Sequence, residues 1–157
     1  MTELNSNTFF QELSRLQRLY TRSLTIRLGQ LKVQPGYLAV LFRLWEKDGI
    51  TQKELVRGLD IEQATLSNTL NRMERDGLVT RTRDKLDRRN LHIRLTEDAH
   101  RLQSPVRTAL DDLGNTVNEG LSVTDLRYLR RIMQQMTTKL QSDQEEPLMI
   151  LLDEVVE

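Results

Sequence analysis

Five arginines and one lysine fall within the eighteen residues VTRTRDKLDRRNLHIRLT, Val79 to Thr96. Two of them, Arg88 and Arg89, stand side by side behind Asp87 in a run of charge between two strand-like segments. Guanidinium groups present a planar fork of donors that matches phosphate and carboxylate oxygens. An exposed ion pair contributes only about 0–1 kcal/mol, which gives no reason for two adjacent arginines at a loop tip. A loop that reaches into an anionic partner gives one. The formal net charge of the chain is zero, but its distribution is uneven. Residues 72–94 hold eight basic side chains against four acidic ones, a net of +4, whereas residues 142–157 hold six acidic side chains and no basic one. The first region suits an anionic partner and the second does not.

A second set of candidates precedes the first. At 100° per residue, a helix from Glu62 to Asp76 turns Leu66, Leu70 and Met73 to one side and Ala64, Thr65, Asn68, Asn71, Arg72 and Arg75 to the other. The exposed face is small, polar and cationic, and a major groove accepts such a face. Asn68 can pair with adenine, Ala64 and Thr65 can touch a thymine methyl, and Gln63 and Ser67 lie at the margin. Arg72 and Arg75, further along, suit phosphate. Thr51 and Gln52, at the start of the preceding helix, offer backbone N–H groups to another phosphate. Arg83 and Lys85 add cations beside the loop. A polar helix face is equally a solvated one, so the face gains meaning only from its neighbours.

Other chemistry is poorly supplied. The chain has no cysteine, so disulfides, thiolate metal sites and thiol redox sensing are excluded. His92 and His100 are too few and too badly spaced for a metal site. There is no glycine-rich phosphate loop and no nucleophile motif, so no enzyme is expected. The N-terminus MTELNSNTFF lacks a basic, apolar leader, and no apolar run approaches about 18 residues. The expected location is the cytoplasm.

The elements that must position these residues are mainly helical. Charged residues make up 29% of the 157-residue chain and aromatics 4%, as suits helices with wide solvated faces. Phe9, Leu13, Leu16 and Tyr20 predict a first helix over about 8–30. VQPGY breaks it. Leu38, Leu41, Phe42 and Trp45 then mark one buried face, and Gly49 suits the helix end. Thr51 and Glu54 form a capping box for a short helix that ends near Gly58. With the helix 62–76, this pair has the length of a helix-turn-helix, though an ordinary helical hairpin is as short. The following segments tip the balance. Val79, Arg81 and Arg83 alternate with Thr80 and Thr82, and Leu91, Ile93 and Leu95 alternate with His92 and Arg94, so a β-hairpin follows at once. A helix-turn-helix with such a hairpin is a winged helix, and DKLDRRN is the tip of its wing.

Thr96 should cap a long helix that Pro105 kinks. Ser122 or Thr124 starts the last helix, in which Leu126, Leu129, Met133, Met136 and Leu140 recur at 3-4-3-4 spacing, a seam for helix packing. The expected fold is mainly α with a small hairpin wing in a single domain: a DNA-binding lobe over 34–96, a dimerisation lobe from 8–30 and 97–142, and an acidic, apolar extension over 143–157. The run Leu148–Leu152 in that extension, with acids on both sides, is expected to pack on the dimer lobe or on a partner.

The segment GLVTRTRDKLDRRNLHIRLTEDA resembles the wing of the MarR family of bacterial transcription regulators. The residues that carry the resemblance are Gly77-Leu78-Val79, Arg81, Asp87-Arg88-Arg89 and Leu95-Thr96, and the order of elements agrees to about Leu140. The resemblance implies a homodimeric regulator, most simply a repressor, on a pseudo-palindromic operator of roughly 16 to 20 base pairs with half-sites about 34 Å apart. It implies that Arg88 enters the minor groove, that Arg89 braces the loop or meets phosphate, and that Asp87 holds the loop. It also implies release by a small aromatic or anionic effector bound between the lobes. Tyr20, Arg22, Tyr37, Trp45 and His92 are candidates for that pocket, although each is as simply core or surface. Two other readings stay open at this level. A winged-helix dimer could serve as a protein-interaction module that no longer binds DNA. An RNA-binding protein would instead favour exposed aromatics, which the 62–76 face lacks.

Overall fold

The computed structural model describes residues 5–59, 61–83 and 90–145. Its elements are α1 (Ser6–Gly29), a 3-10 turn (Pro35–Tyr37), α2 (Leu38–Glu46), α3 (Gln52–Leu59), α4 (Gln63–Arg75), β1 (Val79–Arg83), β2 (Leu91–Leu95), α5 (Glu97–Arg101), α6 (Gln103–Asn118) and α7 (Val123–Glu145). The chain forms two compact units, residues 1–114 and 115–157.

The first unit is built around one apolar core. Leu41 and Leu44 of α2, Leu55 of α3, Leu66, Leu70 and Met73 of α4, Val79 of β1 and Ile93 of β2 are all buried in it. The helical period delivers the α4 trio to one side, as the 62–76 pattern predicts. The core also takes Leu24 and Leu28 from α1 and Ala99, Val106 and Leu113 from α5 and α6. It therefore extends well beyond the 34–96 segment that sequence marks as the winged lobe.

Local signals set the ends of these helices. Thr51 and Glu54 form the expected capping box: Thr51 N–H and Oγ1–H donate to Glu54 Oε2 at 2.7 and 2.8 Å, and Glu54 N–H donates to Thr51 Oγ1 at 3.2 Å. Asn5 caps α1 by accepting from Thr8 N–H at 2.8 Å, so the helix starts slightly before Thr8. The α4 terminus is a Schellman motif. Leu78 N–H donates to Met73 C=O at 2.9 Å and Gly77 N–H to Glu74 C=O at 3.1 Å. The motif requires a left-handed residue after the cap, and Gly77 takes it at φ +74°.

β1 and β2 pair antiparallel in the register Val79↔Leu95 to Arg83↔Leu91. One feature of the sheet has no sequence signal. The turn before α3 lies along β2: Ile93 N–H donates to Ile50 C=O at 2.9 Å, Thr51 bridges His92, and Asp48 Oδ1 accepts from Leu95 N–H at 3.0 Å. The hairpin base is thereby tied to the end of α2. Thr96 caps α5 through Ala99 N–H and donates its hydroxyl to Gly77 C=O at 2.7 Å. The kink expected from Pro105 is a break at Leu102 between α5 and α6. Proline has no N–H for the carbonyl four residues back, and here that carbonyl belongs to Arg101.

The second unit carries α7. Of the two candidate caps, Ser122 is used: Asp125 N–H donates to Ser122 Oγ at 3.2 Å, and Ser122 N–H and Oγ–H return to Asp125 Oδ2. No described residue of α7 is buried. Leu129, Met133 and Leu140 of the heptad seam are exposed, and Leu126 and Met136 are half-buried. Leu13 and Leu16 on the first half of α1 are exposed too. The extension 146–157, with its apolar run, lies outside the described residues.

Candidate nucleic-acid interface

α4 presents its outward face on a rigid mount. Leu66, Leu70 and Met73 anchor it inside, while Gln63, Ala64, Thr65, Asn68, Arg72 and Arg75 are exposed. Three polar contacts from three other elements then fix its rotation and tilt. From α3, Gln52 Nε2–H donates to Ser67 Oγ at 2.8 Å. From β1, Arg81 Nη2–H donates to Asn71 Oδ1 at 2.5 Å, and its Nε lies 3.5 Å from Glu74 Oε2. From the 3-10 turn, Tyr37 Oη–H donates to Asp76 Oδ2 at 2.6 Å, and Arg75 Nε donates to Asp76 Oδ1 at 3.1 Å.

The Tyr37–Asp76 contact shifts both titrations. Burial, reinforced by the hydrogen bond to Asp76, pushes the Tyr37 hydroxyl up to about 12. The Tyr37 hydrogen bond, helped by Arg75, holds the Asp76 carboxyl below the ordinary carboxylate value. At neutral pH the pair is a neutral phenol donating to a carboxylate, the stronger, charge-assisted kind of bond.

A groove of about 580 Å³ runs beside this mount, lined by Thr51, Gln52, Lys53, Val56, Arg57, Gln63, Asn90 and Leu91. It brings the start of α3, the start of α4 and the first residue of β2 to one surface. Lys53 and Arg57 are the additions to the sequence reading. They lie four apart on α3, so both face one side, but only the packing of α3 against α4 and β2 reveals that side as the groove.

This order of elements matches known proteins. The model of the MarR family matches residues 34–91. The organic hydroperoxide resistance transcriptional regulator of Bacillus subtilis (strain 168) is 36% identical over 108 residues, which are 69% of this chain and 69% of that protein. The chain belongs to the MarR family. Among solved structures, a MarR-family regulator of Listeria monocytogenes complexed with 26mer DNA superposes with TM-score 0.72 at 20% identity, covering 85% of this chain and 89% of that one. Reduced AbfR bound to DNA gives TM-score 0.72 at 25% identity over 87% and 92% of the two chains. The mainly α, winged helix-turn-helix fold expected from the sequence is therefore the fold of this MarR-family transcription regulator.

Within that frame the sequence candidates separate. Ala64, Thr65, Asn68, Arg72, Arg75 and Arg83 are exposed. Gln52 and Ser67 are bonded to each other. The Thr51 N–H is already donated to Glu54, so the phosphate contact expected of it has a competitor. Lys85, Asp87, Arg88 and Arg89 lie outside the described residues. The effector candidates are placed apart: Tyr37 on Asp76, Trp45 Nε1–H on Ala99 C=O at 3.0 Å, and His92 Nδ1 at 2.9 Å from Gly49 C=O. Arg22 lies in a polar groove along α1 with Ser14, Gln17, Arg18, Thr21 and Thr25, and Tyr20 is exposed on the same helix. The polar atoms of Tyr37, Trp45 and His92 thus serve the fold.

Proposed function

We propose that this MarR-family regulator binds a pseudo-palindromic operator as a homodimer and represses, with α4 in the major groove and the 84–89 loop in the minor groove. The observation that carries the reading is the exposed face of α4. It is polar and cationic, with Asn68, Arg72 and Arg75 outward, and is held by contacts from α3, β1 and the 3-10 turn. A helix rotated by a few degrees loses register with base edges, so a rigid mount suits sequence reading. The homodimer is supported by apolar side chains that the single chain leaves exposed, Leu13 and Leu16 on α1 and Leu129, Met133 and Leu140 on α7. Arg88 supplies the minor-groove cation, Arg89 and Asp87 brace the loop, and Arg83, Lys85, Lys53 and Arg57 meet phosphates.

Release is by a small aromatic or anionic molecule. Without cysteine, the oxidation of a thiol is not open to this chain, whatever its hydroperoxide-resistance relative uses. A cavity of about 690 Å³ lined by Thr25, Gly29, Lys32, Val33, Gln34, Pro35 and Asp76 supports a site where a ligand would act on the carboxylate that Tyr37 holds. The protein acts in the cytoplasm by binding, with no reaction of its own. Fluorescence anisotropy with duplex DNA from upstream of its own gene, at two salt concentrations, tests the reading. Tight, salt-sensitive binding that exceeds binding to random duplex is expected. Binding no tighter than to random duplex, at that site and across an enriched random library, would overturn it.

A further inference from the structure

Arg81 of β1 and Asn71 of α4 are joined by a side-chain hydrogen bond. Arg81 lies on β1 directly across from Ile93. Strand alternation therefore turns it to the core side, and its side chain is only 17% exposed. There its Nη2–H donates to the Asn71 amide oxygen at 2.5 Å. Guanidinium carries donors only, so the atom of Asn71 that faces it is the oxygen and the amide nitrogen is the one turned away. That NH₂ makes no hydrogen bond among the described residues, and Asn71 is exposed.

An unengaged asparagine offers one acceptor and one donor, the pair that matches the N6–H and N7 of adenine. Asn68 is such a residue: it is exposed and unbonded among the described residues. Asn71 has its oxygen turned to Arg81 and its NH₂ turned away, so the group it presents outward is a donor. Donors alone match guanine, whose major-groove edge carries the acceptors O6 and N7, and oppose cytosine, which presents its N4–H₂ donor.

We propose that Arg81, acting through Asn71, is a specificity-determining residue: it makes Asn71 a donor-only reader that selects guanine at one position of each half-site. Arg81 is the positioning residue and Asn71 the contact. This rests on the reading of α4 as the recognition helix.

The test is enrichment of duplex DNA from a random library by the full-length protein, followed by anisotropy on the enriched site with each base substituted in turn. Wild type should enrich a half-site with one guanine whose identity depends on Asn71. Asn71→Ala should erase preference at that position and leave the others intact. Asn71→Asp is the sharper variant. One carboxylate oxygen keeps the bond from Arg81, and the other becomes an acceptor toward the base. The preference should invert from guanine to cytosine by about tenfold or more. Arg81→Ala frees the Asn71 oxygen and should move the position toward adenine. If thermal melting shows that Arg81→Ala does not fold, Asn71→Asp carries the test alone, because it retains the brace. Asn71→Asp weakening every sequence equally, with no base preference changed, would mean that Asn71 meets phosphate and would overturn the inference while leaving the recognition helix in place. Failure of wild type to enrich any motif would overturn both.

Discussion

The hydroxyl of Tyr37 donates to Asp76 Oδ2 at 2.6 Å and joins residues 39 positions apart in sequence. It ties the turn that opens α2 to the residue that closes α4. Asp76 is also the first residue past the helix that is expected to read DNA, so the contact holds the far end of that helix against the core.

The pair sets a pH window for stability. The folded Asp76 carboxyl is depressed, first by Tyr37 and then by Arg75, so its contribution is complete above the unfolded value of about 3.9 and is lost as pH falls through the folded value. The Tyr37 hydroxyl is raised to about 12, first by burial and then by Asp76. Its contribution is complete below the unfolded value of about 10 and is lost as pH rises through the folded one. Urea midpoints across pH should show both limbs. Tyr37→Phe should lower Tm by several degrees at pH 7 and shrink the acid and alkaline limbs together. Limbs of unchanged size in Tyr37→Phe would assign the pH dependence to other groups.

Core and contact residues of α4 should respond oppositely. Leu70 is fully buried, and Leu70→Ala should cost about 2–5 kcal/mol of stability. Asn68→Ala, on the exposed face, should leave stability within about 0.5 kcal/mol and cost about tenfold or more in operator affinity. Denaturation paired with anisotropy separates the two. Equal loss of stability from both substitutions would contradict the assigned faces of the helix.

Arg88→Ala should weaken operator binding by about tenfold and reduce the slope of log affinity against log salt by about one, as for the loss of one phosphate-directed cation. Tm should not move. A slope identical to wild type would place Arg88 away from the duplex.

The exposed seam of α7 should govern assembly. Leu129→Asp with Met133→Asp buries no new charge in the single chain, because both positions are exposed there. Sedimentation should change from dimer to monomer, and operator affinity should fall by more than a hundredfold, because one half-site binds without its partner. A double variant that remains dimeric would assign the interface to another surface.

Much of this protein was legible in its residues because the signals are local. The period-3.6 trio Leu66, Leu70 and Met73 fixed the inner face of α4. Thr51 with Glu54 and Thr96 marked helix starts by the hydrogen bonds that such residues make to nearby N–H groups, and Ser122 was one of two candidates for the start of the last helix. Alternation over 79–83 and 91–95 defined the hairpin, and its place after the helix pair defined the winged helix. Tertiary structure decided what depends on contacts distant in sequence. No pattern shows that Gln52 meets Ser67, that the 48–51 turn lies along β2, or that Leu24 and Val106 join the winged core. Nor does any show that Arg81, one of several arginines in a basic strand, turns inward to occupy the oxygen of Asn71. The residue types on the outward face of α4 were written in the chain. Which of their donors and acceptors remain free was decided by side chains that only folding brings within hydrogen-bond reach.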